Sequence, residues 1–389
     1  MTLGIKFTGP VYDASGYAEF GRQFLSATYR HPELDITLEP ISFEQARPDI
    51  GEHAKALQKL LNRKIPYTLK VVNAVPNIMR HVVEKDVKNV CFTMFETTKI
   101  PDDWTADLNK YCDAVFVPCQ WNKEVFQNSG VTKPIYVVQP GIDRHIYEDI
   151  DRKSTVSELA NLSPNTVSFY SIFQFTERKN PEGLLVAYLS EFDGVDDVCL
   201  VLKTYGHDFS PEQQTRVRNL IIRIKDSIKL KKPPKILLLG QLMSNNQIID
   251  LHRSCDCFVL PHRAEGFGMP HLEAMAAGKP VITTGFSGNM DFMNKDNSYL
   301  LDYQMTVVAN MTHSPHYEAN MEWAEPNVSQ LKRYMREVYT QIRAHKLNHA
   351  GSFECAMKAM TGQKHVLENF NLEKSAEAFV AACKKVANV

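Results

Sequence analysis

Short β-branched and apolar runs alternate with stretches of helical period along most of the chain, and this alternation limits the fold more than any other feature. Strand, crossover helix and strand in succession build a parallel sheet whose two faces are covered by the helices. In the first part the pattern predicts strands at 5–8, 36–41, 69–73, 90–95, 114–117 and 135–138. Helices are expected at 17–29, 53–61, 103–111 and 122–128. After Pro140-Gly141-Ile142-Asp143 the chain turns polar and charged from Arg144 to Ser163. A second alternating series then begins, with strands at 167–172, 198–203, 235–239, 257–260, 281–283 and 299–301, followed by helical stretches at 328–344 and 351–389. The expected class is therefore α/β: two Rossmann-like, doubly wound domains facing a cleft, with C-terminal helices. The divisions are 1–150 for the first domain, 151–163 for the linker and 164–370 for the second domain. Residues 371–389 form a C-terminal helix free to pack back towards the first domain.

Composition narrows the partners. With 44 Lys plus Arg against 45 Asp plus Glu among 389 residues, the formal charge is −1, which gives no global attraction to nucleic acid or to an anionic membrane. The eight cysteines sit mostly in apolar runs such as Val90-Cys91-Phe92, where thiols act as small hydrophobes, and none stands at zinc-site spacing with a histidine or a second cysteine pair. A reducing compartment fits them. The start, Met1-Thr2-Leu3-Gly4-Ile5-Lys6-Phe7, runs into the first strand without the apolar stretch of a signal peptide, and no apolar run approaches the roughly 20 residues that span a bilayer. The expectation is a cytoplasmic protein, compatible with peripheral contact at a membrane.

The densest chemistry follows the strand at 257–260: Pro261-His262-Arg263-Ala264-Glu265-Gly266-Phe267-Gly268-Met269-Pro270-His271-Leu272-Glu273. Gly266 and Gly268 allow a tight backbone path, and a helix starting near Pro270 would present its unpaired N–H groups and its dipole to an anion. Glu273, inside that helix, has the chemistry to accept hydrogen bonds from vicinal hydroxyls such as those of a ribose. After the first strand of the second domain comes Phe175-Thr176-Glu177-Arg178-Lys179-Asn180-Pro181. Arg178 and Lys179 suit a diphosphate, although the same run also reads as a solvated turn capping the next helix. In the first domain, Thr8-Gly9-Pro10-Val11-Tyr12-Asp13-Ala14-Ser15-Gly16-Tyr17 places Gly16 at a helix N-terminus, where backbone amides can approach a phosphate; a plain structural turn is the other reading. Glu96, in Thr93-Met94-Phe95-Glu96-Thr97-Thr98, stands beyond a strand end, as a site residue or as a helix-initiating carboxylate near Pro101.

Several common sites are absent from the sequence. Gly16 and Gly21 lack the middle glycine of a dinucleotide fingerprint, Ala277-Gly278-Lys279-Pro280 is no phosphate-binding P-loop, and Gly285-Phe286-Ser287-Gly288-Asn289 is no nucleophile elbow. Asp149-Ile150-Asp151 has the spacing of a metal-binding acidic pair but falls in the charged linker, which argues for solvated surface.

Together these motifs resemble the retaining glycosyltransferases of family 4, which have the GT-B fold, and in particular a bacterial subgroup that builds polysaccharides. Further matches in family order are Val115-Phe116-Val117-Pro118-Cys119-Gln120-Trp121-Asn122, Gln139-Pro140-Gly141-Ile142-Asp143, Thr284 to Phe292, Asn297 to Leu301 and Trp323-Ala324-Glu325-Pro326, so the resemblance spans most of residues 4–326. It implies transfer of a hexosyl group from a nucleotide diphosphate sugar, UDP- or GDP-hexose, to an acceptor hydroxyl on a glycan, a lipid-linked molecule or another acceptor, with retention and with neither metal nor other cofactor. It implies catalytic roles for Glu96, Arg178, Lys179 and Glu265. It implies donor contacts by Gly16, Arg178, Lys179, Gly266, Phe267, Gly268, Met269 and Glu273. The sequence departs from the family twice. Many members carry a further arginine about five residues before the lysine, where this chain has Phe173-Gln174; and a histidine is usual where Glu96 stands. A sugar-nucleotide epimerase of the same fold and a non-catalytic nucleotide-sugar-binding protein are the alternative readings.

Overall fold

A computed structural model describes residues 2–51, 53–148, 159, 161–311, 314–349, 351 and 353–388. The chain divides into two compact units, 1–146 with 315–321 and 367–389, and 147–314 with 322–366.

The first unit runs β1 (Leu3–Pro10), α1 (Gly16–Thr28), β2 (Leu34–Ile41), α2 (His53–Leu60), β3 (Leu69–Asn73), α3 (Met79–Val82), β4 (Lys88–Phe92), α4 (Asp102–Tyr111), β5 (Ala114–Val117), α5 (Gln120–Asn128), β6 (Ile135–Val137) and α6 (Arg144–Glu148), α6 reaching the boundary. Its six strands are all parallel, in the order β2-β1-β3-β4-β5-β6. Every residue of β3 and β5 is buried, as sheets covered on both faces require. The expected strand 90–95 ends early, at Phe92. Beyond it the Phe95 amide donates to the Asn122 side chain at 2.8 Å and its ring packs on Trp104, so the backbone leaves the ladder.

The last helix, α13 (Leu372–Ala387), belongs to this unit. Asn371 caps it, and Phe379 lies 5.8 Å from the ring of Phe24 and 6.1 Å from that of Phe116, with Cys383 and Val386 in the same core. Burying one such phenylalanine stabilises the unit by about 1.5–3 kcal/mol.

The second unit runs β7 (Val167–Gln174), α7 (Pro181–Glu191), β8 (Val198–Tyr205), α8 (Pro211–Ser227), β9 (Lys235–Leu239), α9 (Asn245–Ser254), β10 (Cys257–Leu260), α10 (Met269–Ala276), β11 (Val281–Thr284), β12 (Tyr299–Leu301), β13 (Tyr303–Val307), β14 (Glu322–Pro326), α11 (Val328–Lys346) and α12 (Glu354–Asn369), the last three residues of α12 falling with the first unit. Its sheet is again parallel, β12-β11-β10-β7-β8-β9. Side-chain caps start α8, α9 and α11, among them a reciprocal Ser244–Gln247 capping box on α9.

Two features depart from the sequence reading. An antiparallel ribbon of β13 and β14 stands apart from the sheet, with Tyr303, Met305 and Val307 exposed along β13, so no buried run announces it. Between its strands, residues 315–321 fall with the first unit, which interrupts the span 164–370 expected for the second domain. Most of the expected linker, 151–163, and the whole of Asp149-Ile150-Asp151 lie outside the described residues. All eight cysteines are free thiols and buried. No helix among the described residues is long and apolar enough to cross a membrane.

Candidate functional site

In the second sheet the strand order reverses between β7 and β10, and a doubly wound sheet binds ligands beyond the carboxyl ends of its strands at such a reversal. Arg178 and Lys179 leave β7 there in a single tight turn, Glu177–Lys179, and Glu265 leaves β10. The two exits are tied together. The Arg263 amide donates to the Arg178 carbonyl at 2.7 Å, and the Arg178 guanidinium donates to the Ala264 carbonyl at 2.9 Å.

Lys179 Nζ lies 2.5 Å from Glu265 Oε1, and Arg178 Nη1 lies 3.5 Å from Glu265 Oε2. Glu265 is only 5% exposed. Burial alone would raise its carboxyl, but the Lys179 ammonium and the Arg178 guanidinium overcome that and hold it well below the usual range. Glu265 is therefore ionised, and two cations against one carboxylate leave a single positive charge. Lys179 is itself buried and Asn180, at φ 53°, caps α7, so the run is no solvated turn and its cap lies beyond the two cations.

The loop that carries Glu265 is braced from below. Ser287 Oγ accepts from the Glu265 amide at 2.8 Å, and the Gly288 amide donates to the Glu265 carbonyl at 3.0 Å. A Cβ at Gly288 would stand 2.3 Å from the Gly266 carbonyl oxygen, so only glycine allows this approach. On the other side Arg263 forks onto the carboxylate of Glu325, at 2.6 and 3.3 Å, and lies over the Trp323 ring. The Trp323-Ala324-Glu325-Pro326 motif thus acts by holding the loop in place.

Helix α10 starts at Met269 with Gly268 as its N-cap, at φ 99°, a left-handed conformation that favours glycine, and no side chain caps it. In its first turn the His271 and Leu272 amides donate to the Gly268 carbonyl at 3.0 and 3.2 Å and Pro270 has no N–H, while the Met269 amide follows directly on the run Gly266, Phe267 and Gly268. Glu273 sits one turn on. His252 Nε2 lies 3.3 Å from Glu273 Oε2, while His252 Nδ1 lies 2.9 Å from the hydroxyl of Tyr170 on β7. A carboxylate only accepts, so Nε2 carries a proton toward Glu273. Neither Tyr170 nor His252 is signalled in the sequence, since each reads as core. His262 and His271 are fully buried beneath the loop, and burial pushes both imidazoles down, that of His271 to about 4, so both are neutral.

The remaining two candidates lie in the first unit. Gly16 opens α1 behind Ser15, whose Oγ accepts from the Ala18 amide at 3.2 Å. Buried Asp13 fixes this turn by accepting from the Ser15 amide at 3.0 Å and the Phe43 amide at 2.7 Å. A Cβ at Gly16 would meet nothing within 4 Å. Glu96 begins no helix, since α4 starts at Asp102. Its Oε2 accepts from the Tyr317 hydroxyl at 3.1 Å, and Tyr317 stacks on Phe95 at 5.4 Å. No sequence signal pairs residues 221 positions apart.

Residues 174–304 match the family Glycosyl transferases group 1. The chain is 24% identical over 197 residues to a sucrose synthase of Melioribacter roseus, covering 43% of this chain and 24% of that protein. It is 26% identical over 182 residues to an uncharacterized glycosyltransferase of Sulfolobus islandicus rod-shaped virus 1, covering 45% and 50%. The chain thus spans between a quarter and a half of the length of these relatives. Anabaena HepE, solved in complex with UDP-glucose, superposes with a TM-score of 0.65 at 15% identity, over 98% of this chain and all of that one. These likenesses identify the fold as GT-B.

Proposed function

Given a Glycosyl transferases group 1 domain set in a GT-B fold, we propose that this protein is a retaining, metal-independent hexosyltransferase. It moves a sugar from a UDP- or GDP-hexose to an acceptor hydroxyl on a glycan or lipid-linked acceptor. The observation that carries this reading is the convergence of Arg178 and Lys179 on ionised Glu265, at the reversal point of the second sheet and beside the N-terminus of α10.

The donor pyrophosphate lies against Arg178, Lys179 and the amides of Phe267, Gly268 and Met269, which offer fixed positive charge where negative charge grows. Glu265 faces the sugar, its carboxylate matched to the cationic anomeric carbon. Glu273, oriented by His252, takes the ribose hydroxyls. The bond from the anomeric carbon to phosphate breaks as the bond to the acceptor oxygen forms on the same face, and the acceptor's proton passes to the departing phosphate oxygen. No protein base is then required. On the first unit, the Gly16 amide suits an anionic group, and Glu96, steadied by Tyr317, orients a hydroxyl.

The test is turnover of UDP- and GDP-hexoses with a panel of glycan acceptors, reading nucleoside diphosphate release and the anomeric configuration of the product by NMR. Retention is expected, with a rate unchanged by EDTA. Glu273→Gln should weaken donor binding by about 1.5–3 kcal/mol, the scale of a charged hydrogen bond. An inverted product, or donor affinity untouched by Glu273→Gln, overturns the corresponding assignment.

A further inference from the structure

Lys203 is the anomaly of the second unit. It lies in β8, opposite Ile172 of β7 on one side and Leu239 of β9 on the other, and is 5% exposed. Among the described residues its ammonium has neither a carboxylate partner nor a hydrogen-bond acceptor. What it meets is aromatic: Nζ stands 5.0 Å from the ring of Phe209 and 5.7 Å from that of Tyr205, two rings stacked at 4.3 Å. Burial without a partner pushes its pKa down to about 8. Such a cation costs stability unless something answers its charge.

Its position says what that could be. Lys203 lies two residues from the carboxyl end of β8, the end at which the neighbouring β7 delivers Arg178 and Lys179. In a strand, residues two apart share a face, so Lys203 lies on the face of Tyr170, the residue that leads through His252 to Glu273. From β10 to β8 is two strand spacings, about 10 Å, within the span of a nucleoside diphosphate. The charges also call for it. A nucleotide sugar's pyrophosphate bears two negative charges, whereas Arg178, Lys179 and Glu265 together supply one positive charge.

Resting on the donor reading above, we propose that Lys203 is a third cation of the donor site and binds an oxygen of the pyrophosphate. Beside the two rings it stands without a carboxylate partner among the described residues until the donor arrives.

Calorimetric titration of wild type, Lys203→Met and Lys203→Arg tests this, with inorganic pyrophosphate, the diphosphates UDP, GDP and ADP, and the corresponding nucleosides. Wild type should bind pyrophosphate and at least one diphosphate. Lys203→Met should lose about tenfold or more in affinity for both, Lys203→Arg should retain most of it, and any nucleoside binding should be unchanged. Pyrophosphate affinity untouched in Lys203→Met overturns the proposal and leaves the donor reading standing. So does a loss of nucleoside affinity equal to the loss for diphosphate, which would place Lys203 on the base. If wild type binds no diphosphate, the donor reading itself fails. A thermal melt without ligand guards against misfolding: Lys203→Met should be at least as stable as wild type, and a lower melting temperature would make Lys203 a structural residue.

Discussion

Lys70 and Lys203 are both buried cations within parallel sheets, one in each unit, and their surroundings are opposite. Lys70 stands near the amino end of β3, where Nζ donates to Glu84 at 2.7 Å and to the Val82 carbonyl at 2.7 Å, with Glu39 at 3.7 Å. Glu84 also takes bonds from Lys6 and Tyr67. Burial alone would raise its carboxyl, but these donors, Lys70 first, bring it down to about 2. Lys203, near the carboxyl end of β8, has no such answer. Closed charge networks hold a sheet together, whereas an open charge at the ligand-binding end is kept for something that binds.

The comparison can be broken by substitution, beginning where the effect is largest. Lys179→Met removes a cation from the reversal point and leaves Glu265 with Arg178 alone; kcat should fall about 10²–10³-fold, the scale of one lost transition-state donor. Steady-state kinetics that showed a change in KM alone would reduce Lys179 to a docking residue. Lys70→Met should cost about 2 kcal/mol in urea unfolding, less than for a fully buried pair because Glu84 keeps Lys6, Tyr67 and some water. Lys203→Met should do the reverse in the absence of ligand, adding about 1–2 kcal/mol at pH 7, since the lost attraction to the rings offsets part of the relief. Losses of equal size from both lysines would erase the distinction.

The same pair differs in pH dependence. The folded protein releases the Lys203 proton near pH 8, and the unfolded chain holds it to about 10.4. Between these values the unfolded state binds more protons, so this residue's contribution to stability rises with pH. The advantage of Lys203→Met over wild type should therefore shrink between pH 7 and pH 10 in denaturant titrations. The smallest effect is at Gly16. With open space around it, Gly16→Ala should add about 0.4–1 kcal/mol to stability, and a drop in turnover at unchanged fold would mark its amide as a ligand contact.

Both sheets were legible in the sequence because parallel strands buried on two faces must be runs of apolar residues, and runs such as Ala114-Val115-Phe116-Val117 admit little else. Glu265 and Glu273 were legible because glycines and a proline fix the turn between them. The ribbon of β13 and β14 was not, since its exposed face carries no burial pattern. Nor were the partners of the candidate residues: Tyr317 for Glu96, His252 for Glu273 and Ser287 for the Glu265 amide come from distant positions brought together only by packing. Lys203 lay in plain view, the one charge in Val198-Cys199-Leu200-Val201-Leu202-Lys203, yet that it lacks a partner is a fact of the folded chain alone.

Helix α13 sets an order of events at the ribosome. The first unit's strands end at Val137, but Phe379 and its neighbours, which complete the core around Phe24 and Phe116, are translated more than 200 residues later. At about 5–20 residues per second the interval is about 10–50 s. For that time residues 1–146 wait without Phe379 against Phe24 and Phe116, while the second unit is made, so cleavage before residue 367 would leave the first unit without the helix that seals it.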